Sequence, residues 1–150
     1  MTKGTTVLAT GVFDLLHVGH LRFLEESKRK GGAGARLVVV VARDKTVRLR
    51  KGRGPVYPEE QRRELVSALR VVDRAILGHE EIDLLGILKE VQPDIVCVGY
   101  DQKAIGADVS RLIRRQGLPI RVIRIRKFGP VGLNSSTRVK LRVAKAVSVA

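Results

Sequence analysis

Apolar residues recur along this chain in two alternating patterns: short unbroken runs, and stripes at helical spacing. TTVLATG at 5–11 is the first run and predicts a short buried strand. RLVVVVA at 36–42 is continuous and β-branched, as a central parallel strand covered on both faces requires. Further runs at 73–78, 93–101 and 119–127 predict three more strands, and the arginines alternating through the last place it near an edge. Helical stripes fall between them, over 18–30, 58–72, 80–91, 107–117 and 135–150. Pro58 with two glutamates marks a helix start. Gly117 marks a helix end, and Ser135 caps the last helix. The segment GGAGA closes the first helix. RDKTVRLRKGRGPVY at 43–57 is polar, basic and glycine-bearing, and predicts a loop.

Strands alternating with helices imply right-handed crossovers and one α/β domain over 1–150, a mostly parallel five-stranded sheet with helices on both faces. Ligands of such sheets bind beyond the carboxyl ends of the strands, where the strand order reverses. Three segments converge there: GVFDLLHVGH (11–20), GYDQ (99–102) and NSST (134–137).

Composition narrows the class. The chain is 44% apolar and 29% charged, as in an ordinary soluble globule. No apolar run approaches the ~18 residues of a membrane helix. MTKGTTVLATG is too short in apolar character for a signal peptide, so a cytoplasmic protein is expected. Cys97 stands alone, which leaves neither an internal disulfide nor a cysteine metal cluster. The net charge of +14 changes the picture more, because such a field attracts polyanions. The basic residues are spread along the chain, however, and the aromatics are only Phe13, Phe23, Phe128, Tyr57 and Tyr100. That is no stacking platform for single strands. A phosphate-rich small substrate is expected rather than a specific nucleic acid.

Candidate chemistry is concentrated in 11–20. There is no G-x-x-x-x-G-K-[ST] segment, and GGAGA follows a helix, the wrong order for a dinucleotide fingerprint. His17-x-x-His20 is not a zinc-protease H-E-x-x-H and has no third ligand nearby. Two of the chain's three histidines nevertheless sit with Gly11, Asp14 and Gly19 at a strand-to-helix junction. Backbone amides and the helix dipole attract anions there. Two imidazoles donating to a phosphate stabilise charge developing on it. The competing reading is that they only cap the helix.

GVFDLLHVGH resembles the G-x-F-D-x-x-H-x-G-H signature of the cytidylyltransferase-like nucleotidylyltransferases. The likeness continues in PEEQRRELVSALRVVD (58–73), in GYDQ and in NSST, and so spans nearly the whole chain. Within the family, 41–64 and 93–102 look most like archaeal FAD synthases. The resemblance implies a Rossmann-like fold. It implies AMP transfer from ATP to FMN, with a divalent metal such as Mg²⁺ and release of pyrophosphate. The alternative within the same mechanism is CTP with glycerol 3-phosphate or a similar polyol phosphate; the alternative of another class is a basic nucleic-acid-binding protein. By resemblance, His17, His20, Lys51 and Arg62 are the catalytic residues acting on the triphosphate. Gly11, Val12, Phe13, Gly19, Asp101, Gln102, Ser135, Ser136 and Thr137 bind the nucleotide. Val12 stands where many members carry Thr, and the arginines before the last helix do not match the family's spacing. Asp14 orients either a metal or a backbone turn. A homodimer is expected, without membrane association.

Overall fold

A computed structural model describes residues 3–81, 83–129 and 132–149. Its five strands are β1 (Thr6–Gly11), β2 (Arg36–Val41), β3 (Arg74–Leu77), β4 (Ile95–Val98) and β5 (Arg121–Arg124). They form one sheet in the order β3-β2-β1-β4-β5. Every pairing is parallel. The five apolar runs are the five strands, and β5, with exposed Arg121 and Arg124, is an edge.

Two buried clusters flank the sheet because alternate strand residues point to opposite faces. Val7, Ala9, Leu37, Val39 and Val41 face one way, against Leu24 of α1 (Val18–Lys30) and Val66 of α3 (Glu59–Ser67). Leu8, Val38, Val40, Val96 and Val98 face the other, against α4 (Leu84–Val91) and α5 (Lys103–Gln116). β2 is buried at five of its six positions, which its unbroken valine run anticipates.

The chain departs from its pattern between β2 and α3. Residues 44–51, expected as loop, form the helix α2 (Asp44–Lys51). Its polarity hides it, since Val47 is the only buried residue. Its ends carry ordinary helix signals: Asp44 in the first turn, Arg48, Arg50 and Lys51 in the last, and Gly52 left-handed at φ 74 as the cap. The last helix, α6 (Ser136–Val149), starts where the serines predict.

Strand order reverses between β1 and β4. The β1–α1 turn leaves the sheet toward one face and the β4–α5 turn toward the other, so a crevice opens between them.

Candidate active site

The β1–α1 turn is built under strain. Phe13 (φ 56) and Leu15 (φ 49) both adopt left-handed backbone, uncommon for residues with side chains. Phe13 is nonetheless buried, and its ring explains Gly11: a Cβ there would lie 2.8 Å from it. Asp14 is buried and locks the turn to the next loop, accepting from the amides of Val56 (2.7 Å) and Tyr57 (3.0 Å). Of its two expected roles the structure thus displays the turn-orienting one.

His17 and His20 lie at the amino end of α1, and their hydrogen bonds define their tautomers. His17 Nδ1 accepts from the Gly19 amide at 3.0 Å, and His20 Nδ1 accepts from the His17 amide at 3.2 Å. Together they form a reciprocal capping box made of histidines. The rings stack with centroids 3.8 Å apart. A neutral imidazole that accepts at Nδ1 carries its proton on Nε2, and both rings line the cleft. Burial lowers both pKa values, that of His20 to about 3, with the charges of His17 and Lys51 adding to the effect against Asp14. The pair is therefore neutral at ordinary pH and presents two N–H donors. The two readings of these histidines are not exclusive: one nitrogen caps the helix and leaves the other for a ligand. Gly19 is required here too, since a Cβ would meet the carbonyl of Asn134 at 2.7 Å and the His17 ring at 2.8 Å.

A cleft of about 1130 Å³ opens over these residues. That exceeds the usual volume of a single small-molecule site, about 300–1,000 Å³. Gly11, Val12, Phe13, His17, Gly19, His20, Lys51, Asp101, Gln102, Ser135, Ser136 and Thr137 all line it. Lys51 is the exposed last residue of α2, while Lys45 of the same helix does not line the cleft. Ser135 Oγ accepts from the Arg138 amide at 3.2 Å, and Ser136 Oγ donates to the Asp14 carbonyl at 2.6 Å. The latter ties α6 to the histidine turn. Gln102 Oε1 accepts from the Gly99 amide at 2.9 Å and shapes the turn after β4; Asp101 beside it is exposed.

Arg62 is the one expected site residue that the fold does not bring to the cleft. Its side chain is fully buried. It donates to the carbonyls of Tyr57 (2.9 Å), Val12 and Ala42 (both 2.8 Å), and pairs with Asp44 at 2.6 Å. It braces the ends of β1 and β2, α2 and the loop before α3 from behind, with four of its five N–H groups committed and the side chain outside the cleft lining. The triphosphate contact that the resemblance implied for it is replaced by this bracing role.

Other contributors were not singled out in sequence. Arg22, Arg43, Arg50, Lys127 and Lys140 add cations around the cleft, and so does Arg126, one of the arginines before the last helix whose spacing departs from the family's. Asn134, the chain's only asparagine, lines it and is 6% exposed. The signal available in sequence was its position immediately before the SST segment.

A strained turn, a histidine-capped helix and a cation-rimmed cleft at the reversal of a parallel sheet define a phosphate-handling α/β protein. The chain belongs to the cytidylyltransferase-like family, whose profile matches residues 8–142. Among its relatives, the FAD synthase of Thermoplasma acidophilum is 47% identical over 94% of this chain and 95% of its own length. The FAD synthase of Methanopyrus kandleri is 50% identical over 93% and 92%. A crystal structure from Thermoplasma volcanium, described as a lipopolysaccharide core biosynthesis protein, is 47% identical and superposes with a TM-score of 0.77, covering 85% of this chain and all of that one. Pantothenate synthetase of Thermus thermophilus, 19% identical at a TM-score of 0.58, covers 92% of this chain and 64% of its own and shares the fold. Among the described residues no helix is long and apolar enough to cross a membrane.

Proposed function

We propose that this chain transfers the AMP of ATP to the phosphate of FMN, giving FAD and pyrophosphate. The observation that carries the reading is the stacked His17–His20 pair, held neutral with both Nε2–H groups left as donors at the amino end of α1. An FMN phosphate oxygen attacks the α-phosphorus. The new O–P bond forms as the bond from that phosphorus to the bridging oxygen breaks, and pyrophosphate leaves. No covalent enzyme intermediate is needed, so the protein's task is alignment and neutralisation of charge. His17 and His20 donate to the α-phosphoryl oxygens, where charge is redistributed in the transition state. Lys51, Ser135 and Thr137 hold the leaving β- and γ-phosphates at the start of α6, assisted by the helix amides, among them that of Ser136, whose hydroxyl is committed to the Asp14 carbonyl. Gly11, Val12 and Phe13 form the floor under the nucleotide, and Asp101 and Gln102 read its base or ribose. Arg62 acts as a positioning residue.

A divalent ion such as Mg²⁺ bound with the triphosphate would supply neutralisation of its charge. Among the described residues no group of three His, Cys, Asp or Glu side chains is arranged to hold a metal, and Asp14 is already committed to two backbone amides. Such an ion would be held chiefly by the phosphates of the nucleotide.

The decisive experiment incubates the protein with Mg²⁺ and each pairing of ATP or CTP with FMN or glycerol 3-phosphate, measuring pyrophosphate. Release with ATP and FMN alone is the expected result. Release with CTP and glycerol 3-phosphate would replace the reading, and release in no pairing would overturn it.

A further inference from the structure

The helix α2, DKTVRLRK over 44–51, is anchored at its amino end. Val47 is its single buried residue, and Arg48, Leu49, Arg50 and Lys51 beyond it are exposed. Packing therefore does little to hold the direction of this helix. Its polar ties do more, and they gather on its first turn.

The first amides of a helix have no intrahelical partner and need an acceptor from elsewhere. Arg43, at the N-cap of α2, supplies none from its side chain. Glu59, the first residue of α3, supplies it from another element. Its Oε2 accepts from the Asp44 amide at 2.7 Å, and its Oε1 accepts from Arg43 Nη1 at 3.1 Å. The carboxylate thus sits at the positive end of the α2 dipole. Arg43 donates in turn through Nε to the Gly78 carbonyl, just past β3, at 2.7 Å. Arg62 braces the strand ends and holds the Asp44 side chain, while Glu59 holds the Asp44 backbone and so the direction in which α2 leaves β2.

That direction bears on the cleft through Lys51. Lys51 ends α2 and lines the cleft, whereas Glu59 does not line it. At about 1.5 Å per residue, roughly 10 Å of helix axis separates Asp44 from Lys51, so a tilt of about 10° at the anchored end moves the lysine backbone by about 2 Å. A displacement of about 1 Å in a group that must meet a reacting phosphate is already costly.

We propose that Glu59 is a positioning residue for the reaction: by capping and pinning the amino end of α2 from α3, it sets where Lys51 meets the triphosphate. This rests on the adenylyl-transfer reading and on the place of Lys51 in it.

The test is a double-substitution cycle on kcat/KM for ATP, read by pyrophosphate release. Glu59 belongs to neither buried cluster, so Glu59→Ala folds, which circular dichroism checks. Glu59→Ala lowers kcat/KM for ATP about tenfold, as a displaced charge does, and by no more than Lys51→Ala. In the Lys51→Ala background the same substitution changes kcat/KM by less than about twofold, because the lysine it positions is gone. Glu59→Gln keeps an oxygen for the Asp44 amide and recovers most of the loss. Amide hydrogen exchange across α2 is faster in Glu59→Ala than in wild type. Losses that multiply in the double variant would overturn the proposal, since Glu59 would then serve the fold in general. So would wild-type kcat/KM or unchanged α2 exchange in Glu59→Ala, a Glu59→Gln as impaired as Glu59→Ala, or full activity in Lys51→Ala. Failure of the underlying reading looks different: wild type would then release no pyrophosphate from ATP and FMN.

Discussion

His17 and His20 each do two things with one ring, and their variants report both. His17→Ala and His20→Ala each lower kcat by about 10²–10³, the loss typical of one oxyanion-type donor. Each also lowers stability, because the cap is lost along with the donor, by about 0.5–2 kcal/mol. The two effects on kcat are non-additive, since both rings serve one group of oxygens. Unchanged kcat in variants with a lowered Tm would reduce the pair to a cap. Their protonation gives a second expectation. His20 titrates at about 3 in the folded chain against an ordinary 6.5, so the unfolded state takes up its proton first as pH falls. The stability this contributes is complete above 6.5 and is lost progressively between 6.5 and about 3. Urea unfolding of wild type and His20→Asn across that window should show the steeper acid loss in wild type; parallel curves would show that the ring is not held neutral. Lys51 and Lys45 form a third comparison. Only Lys51 lines the cleft, so Lys51→Ala lowers kcat/KM for ATP and Lys45→Ala does not. Equal losses would mean that the field of α2 acts as a whole.

α2, α3 and the two strand ends beside them are joined through Arg62. Three carbonyls from three segments and one carboxylate share its guanidinium. Arg62→Ala leaves three carbonyls and a partly exposed Asp44 carboxylate without this partner, and breaking a pair with one fully buried member costs up to about 3–5 kcal/mol. Denaturant unfolding should therefore show a large stability loss. Arg62→Lys recovers little of it, because an ammonium cannot reproduce the planar fork. A stable Arg62→Ala protein with a raised KM for ATP would restore the triphosphate role that the resemblance implied.

The whole molecule carries a net charge of +14, and at least seven cationic side chains rim the cleft. Both proposed substrates are anionic, so the field steers them toward the cleft. Raising salt from about 0.1 M to about 1 M shortens the screening length from about 10 Å to about 3 Å. kcat/KM for ATP at fixed Mg²⁺ should fall over that range while kcat changes less, because the groups touching the phosphates lie within the screening length. A flat salt profile would mean that the charge serves another purpose.

Much of this was legible locally. Strand runs and helix stripes are short-range patterns, and parallel topology follows from their alternation, so the sheet and its crevice could be read before any contact was known. The capping box is local as well, since His17 and His20 sit three residues apart on one helical turn. Other features arise only between segments far apart in the chain. α2 went unseen because a helix with one buried residue has no stripe to read. The resemblance put Arg62 on the triphosphate, and nothing near it in sequence shows that three carbonyls and Asp44 surround it. The low pKa of His20 depends on how deeply the fold covers its ring. Periodicity records which face of an element is buried. Which polar groups are enclosed, and with what partners, is settled only when distant segments pack together.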